Sequence, residues 1–206
     1  MNPAHLSIRT GILTAALGAL AATMGDLGQL WVVNAGRPAL ALPAPPGGLI
    51  VPATLAGVLG IPLYALGYAA RARTAQGTAP GAAVVVMLAG TAFAVLGGSV
   101  HGITGVLISH NVGGMAGGLD PLQGVLSSGP ISLTLWGLAT AALLCAALAE
   151  ARLPQPRASR LCNPLVLTLL LTAAAALLPL PWRDFVGPAA VNIAHLVFFL
   201  RLGVLA

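Results

Sequence analysis

Six apolar blocks, each near the length that an α-helix needs to cross a bilayer, are the feature that most constrains this chain. They cover residues 11–33, 49–70, 82–108, 131–149, 164–180 and 185–205. A bilayer core takes about 20 apolar helical residues, because each residue adds about 1.5 Å of rise. The pattern predicts an all-α, polytopic transmembrane helix bundle with six spans, formed as a single integral membrane domain over residues 1–206.

Composition excludes the soluble classes of protein. Charged residues make up 6% of the chain and hydrophobic residues 58%, whereas a soluble domain carries about 25% charged residues. The net charge of +5 rests on nine arginines without a single lysine, placed between the apolar blocks. Flanking cations of this kind are typical of membrane proteins. We therefore expect the lipid bilayer as the main partner and no nucleic-acid partner.

The arginines also predict an orientation. With six spans, both termini lie on the same side as the second and fourth loops, and that side holds seven arginines: Arg9, Arg71, Arg73, Arg152, Arg157, Arg160 and Arg201. The opposite side holds Arg37 and Arg183. Because positive charge is retained on the cytoplasmic side, we expect cytoplasmic termini and a multi-pass protein of the cell inner (plasma) membrane. Trp31, Trp136 and Trp182 then lie toward the outer helix ends.

The first block has a second interpretation. Arg9, an apolar run and the small residues Ala19 and Ala21 together resemble a signal peptide with its cleavage site. The apolar stretch continues to Val33, which is long enough to span, so a first transmembrane helix is the favoured prediction.

Polar residues inside the apolar blocks are the candidates for function. An ionisable side chain within a span costs at least a few kcal/mol and calls for a partner. Asp26 shares a helix face with the small residues Gly18 and Ala22, so this face is expected to pack against another helix. His101 borders a small-residue stripe, whereas Asn192 and His195 share one face of the sixth block. We predict one polar cluster in the outward half, with Asp26 bonded to a His or Asn of the third or sixth span.

Two roles remain open for this cluster. As an acid–base site, its candidate catalytic residues are Asp26, His101 and His195, and its candidate substrate-binding residues are Gln29, Tyr64 and Asn192. Alternatively, the same side chains are interhelical ties that only hold the bundle together. A shared cavity of roughly 300 Å³ or more would favour the acid–base site.

No cofactor or metal is expected. The spacing that places three or four zinc ligands together is absent from the sequence. Haem held between His101 and His195 is disfavoured, because aromatic residues are only 4% of the chain and the outer side carries few arginines. Cys145 and Cys162 form neither a disulfide framework nor a Cys-x-x-Cys motif.

Four short segments carry a family resemblance: Gly25-Asp26, the stretch 60–67 (GIPLYALG), the stretch 98–102 (GSVHG) and the stretch 187–199 (GPAAVNIAHLVFF). Together they resemble a family of small bacterial multi-pass membrane proteins known as a domain of unknown function. The resemblance implies a helical membrane bundle and carries no activity with it. The chain departs from it in the third loop, which is rich in glycine.

The sequence thus predicts an integral membrane protein with an intramembrane Asp/His/Asn cluster, and no motif that specifies its biochemistry. The alternative is a membrane-embedded enzyme that acts by Asp/His acid–base chemistry on a lipid or hydrophobic metabolite. Its partner would be a lipophilic small molecule.

Overall fold

The computed structural model describes residues 3–35, 42–113, 130–154, 157–180 and 182–205, and these residues form helices and turns without any strand. Within those ranges the α-helices are α1 (Pro3–Asn34), α2 (Ile50–Gly60), α3 (Tyr64–Ala75), α4 (Pro80–Gly113), α5 (Pro130–Glu150), α6 (Pro164–Ala176) and α7 (Trp182–Leu205). Arg37 and the predicted Gly-rich third loop with Asp120 lie outside the described residues.

Five helical stretches within the described ranges are long and apolar enough to cross a membrane: Ser7–Asn34, Ile50–Ala75, Pro80–Ser109, Leu133–Glu150 and Trp182–Val204. The predicted all-helical class is therefore confirmed, and these helices are consistent with a membrane protein. The block at residues 164–180 forms only the 13-residue helix α6, which is about 20 Å long at 1.5 Å per residue. It ends early because Pro179 and Pro181 follow, and a proline disfavours the helical conformation in the residue before it.

Proline also interrupts the second span, where the sequence predicts a kink near Tyr64. A 3₁₀ turn over Ile61–Leu63 separates α2 from α3, with Pro62 in its first turn. Pro62 lacks the N–H that would continue the α-helical hydrogen bonding. Directly after this turn, Tyr64 starts α3 with its side chain completely buried.

Among the described residues, the helices form a ring in which each helix packs against its neighbours, except that α5 and α6 barely contact each other. Helix α1 packs against α2, α3 and α7, while α4 packs against α2, α3 and α5. Helix α6 packs against α7 and barely contacts α5. Asn163 caps α6 by accepting a hydrogen bond from the Leu165 N–H, and its side-chain nitrogen donates to the carbonyl of Ala147 on α5 at 2.8 Å. This side-chain contact ties α5 to α6 at the start of α6.

Small residues bring the central helices together, as the sequence predicts for the face of Asp26. A Cβ atom built on Gly18 would lie 2.5 Å from the Gly60 carbonyl oxygen, and one built on Gly60 would lie 2.5 Å from the Gly18 carbonyl oxygen. The glycine stripe of α4 faces the second span in the same way, since Gly98 lies against Pro62. Close backbone approach of this kind drives helix association in lipid.

A buried ion pair that the sequence analysis missed joins α3 to α5. The Arg71 guanidinium donates from Nε to Glu150 Oε1 at 2.9 Å and to Oε2 at 3.2 Å. Arg71 Nη2 also donates to the carbonyl of Pro154 at 3.4 Å. Glu150 lies one residue beyond the predicted fourth span. The spacing of residues in the sequence does not show which side chain of another helix it contacts.

Substituting alanine for Gly60 tests the close approach of α1 and α2. The added methyl group meets the Gly18 backbone, and overpacking of this kind costs about 1–3 kcal/mol. Gly137 on α5 is the matched control, because a Cβ there meets nothing within 4 Å and alanine favours the helix. We expect Gly60→Ala to lower the thermal unfolding midpoint in lipid nanodiscs and Gly137→Ala to leave it unchanged or higher. Equal midpoints would contradict the packing described.

Candidate ligand-binding and acid–base site

The carboxylate of Asp26 is held by side chains from two other helices. His101 Nδ1 lies 3.1 Å from Asp26 Oδ1 and donates to it. Asn192 donates from Nδ2 to Asp26 Oδ2 at 2.7 Å. The predicted pairing of Asp26 with a His or Asn of the third or sixth span is confirmed, and here both partners bind at once.

Tyr64 fixes the orientation of the Asn192 side-chain amide. The Tyr64 hydroxyl donates to Asn192 Oδ1 at 2.7 Å. Since that oxygen is occupied, the amide nitrogen must point toward Asp26. Tyr64, predicted as a substrate-binding residue, therefore positions Asn192 and is itself completely buried.

A second chain of hydrogen bonds defines the neutral form of His101. The Thr54 hydroxyl donates to the Ile50 carbonyl at 2.7 Å, so its oxygen accepts from Gln29 Nε2 at 3.2 Å. This contact orients the Gln29 amide, whose nitrogen lies 3.1 Å from His101 Nε2. In the tautomer of neutral His101 whose single ring proton is on Nδ1, facing Asp26, Nε2 is unprotonated and accepts from Gln29.

The same ring nitrogen has an acceptor within reach for the protonated form. The Ala53 carbonyl oxygen lies 3.2 Å from His101 Nε2. An imidazolium would donate from Nε2 to this oxygen and from Nδ1 to Asp26. The pocket around His101 therefore offers a partner to Nε2 in either protonation state.

Gly57 on α2 makes the space that His101 occupies. A Cβ atom built on Gly57 would overlap the imidazole ring, with Cδ2, Nε2 and Cε1 as its nearest neighbours. Because Gly57 belongs to α2 and His101 to α4, the close approach of these helices requires a residue without a side chain here.

Asp26 and His101 lie at the wall of a cavity of about 420 Å³. Of the predicted site residues, Gln29 and Asn192 also line it. The remaining lining side chains are mostly apolar and come from all parts of the ring of helices, among them Ile61, Phe93, Val100, Trp136, Leu143, Leu169 and Val191. The Asp26 side chain is 16% exposed and that of His101 5%.

The cavity opens sideways, through the gap between α5 and α6. Trp136 and Thr140 on α5 and Leu169 on α6 line the cavity and are exposed at the surface of the bundle. The outer surface beside them is apolar, with Leu138 52% and Leu170 55% exposed. Apolar side chains of this kind are typical of helix faces that contact lipid tails.

His195 lies outside this cavity, contrary to the expectation of one shared cluster. Its ring stacks on that of Tyr64, with centroids 4.7 Å apart, and on that of Phe93, at 4.9 Å. His195 Nδ1 donates to the Val191 carbonyl at 2.7 Å, and Nε2 accepts from the Tyr68 hydroxyl at 2.8 Å. Both ring nitrogens are thus used within the bundle, which favours a structural role for His195.

Sequence reasoning did not single out the apolar and threonine side chains that shape the cavity. Phe93, Thr140 and Thr168 stand in blocks of similar residues, and only the packing of four or more helices distinguishes those that face a cavity. Trp136 was assigned to the outer membrane interface, whereas the structure also places it on the cavity wall.

Metal ligands do not gather in the described part of the chain, where no group of three or more His, Cys, Asp or Glu side chains comes together. Comparison with protein-family models, curated proteins and solved structures gave no match. The resemblance to a bacterial membrane-protein family therefore stays an expectation, and function is inferred from the geometry of the site.

Replacing Gly57 with alanine tests how His101 is positioned. The methyl group takes the place of the imidazole, so we expect the ring to move and its bond to Asp26 to break. Histidine-selective ¹⁵N NMR should show altered His101 imidazole signals in Gly57→Ala and unaltered ones in Gly137→Ala. Unaltered His101 signals in Gly57→Ala would contradict the assigned contact.

Proposed function

We propose that the protein binds a lipophilic small molecule in this lateral cavity and carries out acid–base chemistry on its polar end with Asp26 and His101. The observation that carries the proposal is the position of this pair at the wall of an apolar cavity whose lining includes exposed residues of α5 and α6. Ligand pockets typically measure about 300–1,000 Å³, with apolar walls and a few convergent polar groups. The cavity fits that description.

Asp26 is the group that would touch the ligand. Its carboxylate accepts two hydrogen bonds, one on each oxygen, and retains lone pairs that can accept a proton from a hydroxyl or amine within about 3 Å. His101 holds the carboxylate and can take up a proton at Nε2, next to Gln29 and the Ala53 carbonyl. Asn192 is a positioning residue, since it fixes the second carboxylate oxygen.

A structural tie is the competing role for the same residues. The bonds of Asp26 to His101 and Asn192 join α1 to α4 and α7, and that alone would stabilise the bundle in lipid. A tie does not need a cavity beside it, and this cluster has one. We therefore favour the ligand-binding site.

Labelling with 3-azioctanol, a neutral photoreactive alcohol, tests the binding site. Thr168→Phe places a large side chain on the cavity wall, whereas Thr172→Phe, one turn further along α6, adds the same side chain at an exposed position. In nanodiscs, we expect photolabelling of Asp26, mapped by peptide mass spectrometry, to fall at least fivefold in Thr168→Phe only. Equal labelling in both variants would sink the proposal.

We also propose six spans with both termini in the cytoplasm, the short helix α6 serving as the fifth span. The excess of arginine on the side of the termini supports this orientation. It predicts that the Ala151–Asn163 loop, which contains Cys162, is cytoplasmic, whereas Gly47 before α2 is external.

Cysteine accessibility checks this orientation. Cys145→Ala leaves Cys162 as the only cysteine, and a membrane-impermeant maleimide should label it in inside-out vesicles and not in right-side-out vesicles. Gly47→Cys in a background without the native cysteines should give the reverse pattern, because Gly47 is exposed. Labelling of Cys162 from the outside alone would overturn the orientation.

A further inference from the structure

We infer that the ligand of this cavity is a lipophilic organic cation and that it competes with a proton for the Asp26–His101 pair. The inference rests on the proposed function, since it names the chemical class of the molecule bound in the lateral cavity. Three features support it: the charges on the cavity wall, the two protonation states available to His101 and the aromatic side chains that line the same cavity.

The charges on the wall favour a cation. Asp26 and His101 are the only ionisable side chains among the described residues that line the cavity, and neither arginine nor lysine is among those residues. When His101 is neutral, Asp26 is a carboxylate held only by two uncharged donors. In a low-dielectric site such a charge strongly attracts an opposite charge and repels the headgroup of an anionic lipid or fatty acid.

The protonation of His101 decides whether this charge is available. With Gln29 donating to Nε2, His101 is neutral and the pair carries one negative charge. With a proton on Nε2 donated to the Ala53 carbonyl, the pair is neutral and offers nothing to a cation. A cation that binds beside Asp26 thus displaces one proton, which leaves His101 Nε2 for the solution.

In the part of the chain that the structure describes, the other side chains bonded to the pair carry no charge. The side chains that face the pair from neighbouring helices are Gln29 on α1, Thr54 on α2 and Asn192 on α7. Tyr64 on α3 touches Asn192 through a hydroxyl that is itself bonded. From α5 and α6 the cavity is lined by uncharged residues such as Thr140 and Thr168.

Aromatic side chains complete the site. Phe93 and Trp136 line the cavity on α4 and α5, and the faces of aromatic rings attract ammonium groups, most strongly where water is excluded. The rest of the wall is apolar, so the cation must carry apolar groups to fill it. A primary or tertiary ammonium ion can in addition release its proton to the carboxylate, in keeping with the proposed acid–base role.

A matched pair of probes isolates the effect of charge. Phenyltrimethylammonium and tert-butylbenzene have the same shape and differ in one positive charge. Each is used to block 3-azioctanol labelling of the cavity peptides in nanodiscs, normalised to the unblocked labelling at the same pH. The neutral compound is enriched in lipid. At equal total concentration its concentration near the protein is therefore higher than that of the cation, so a stronger block by the cation cannot result from partitioning into lipid.

At alkaline pH the cation should block labelling at a lower concentration than the neutral compound. At pH 8, we expect half-blocking by phenyltrimethylammonium at a concentration at least tenfold lower than by tert-butylbenzene. On acidification, the half-blocking concentration of the cation should rise by up to about tenfold per pH unit, because one proton competes with one cation. That of the neutral compound should not move.

Two variants separate the roles of the pair. Asp26→Asn should abolish the preference for the cation, so that both probes block equally. His101→Gln should keep the preference at pH 8 and change its pH profile, because the imidazole is gone and only the Asp26 carboxylate can take up the competing proton. If either variant unfolds at a lower temperature than Gly137→Ala, its blocking data are set aside. The inference is then judged on the wild-type protein alone, by its preference for the cation over the neutral probe and by the change of that preference with pH.

Failure of this inference is distinguishable from failure of the proposed function. Equal blocking by both probes in the wild-type protein, or a cation preference that does not change with pH, overturns the inference. If labelling is at the same time lost in Thr168→Phe and kept in Thr172→Phe, the proposed function stands. Labelling that Thr168→Phe does not reduce overturns both.

Discussion

A carboxylate inside a bilayer is stable only where hydrogen-bond donors replace water, and the structure is organised around meeting that need for Asp26. His101 and Asn192 each donate to one oxygen. Their own orientation depends on a further layer, because Tyr64 fixes Asn192 and the Gln29–Thr54 pair faces the second nitrogen of His101. Gly57 supplies the space without which the imidazole could not reach the carboxylate. The tight contacts of α1, α2 and α4 are thus a condition of the polar site.

The side of the bundle formed by α5 and α6 is packed more loosely than the side formed by α1, α2 and α4. Both α5 and α6 line the cavity that contains Asp26. Prolines after α6 end this helix early, and α5 and α6 barely contact each other. The tightly packed half of the bundle holds the Asp26 carboxylate in place, whereas the cavity beside it extends to exposed residues of α5 and α6. A fully closed ring with the same polar cluster would only be a tie between helices.

The sequence predicted the helical class, the apolar blocks and the polar residues that meet across helices, because bilayer thickness and helix periodicity act within one segment. Spacing cannot show which helices are neighbours. For that reason the sequence predicts Asn192 and His195, three residues apart on one face, in one cluster, whereas in the structure Asn192 lines the cavity and His195 stacks on Tyr64 outside it. The Arg71–Glu150 pair and the cavity wall were missed for the same reason. Gly57 stands among many glycines, and only its contact with His101 reveals its role.

Labelling with dicyclohexylcarbodiimide most directly tests whether Asp26 is reachable from lipid. This lipophilic reagent modifies carboxyl groups that can be protonated and that are accessible from the bilayer. Asp26 lines the open cavity, whereas Glu150 is 1% exposed and paired with Arg71. In nanodiscs, peptide mass spectrometry should find the adduct on Asp26 and none on Glu150. An unmodified Asp26 under conditions that modify Glu150 would contradict the lateral site.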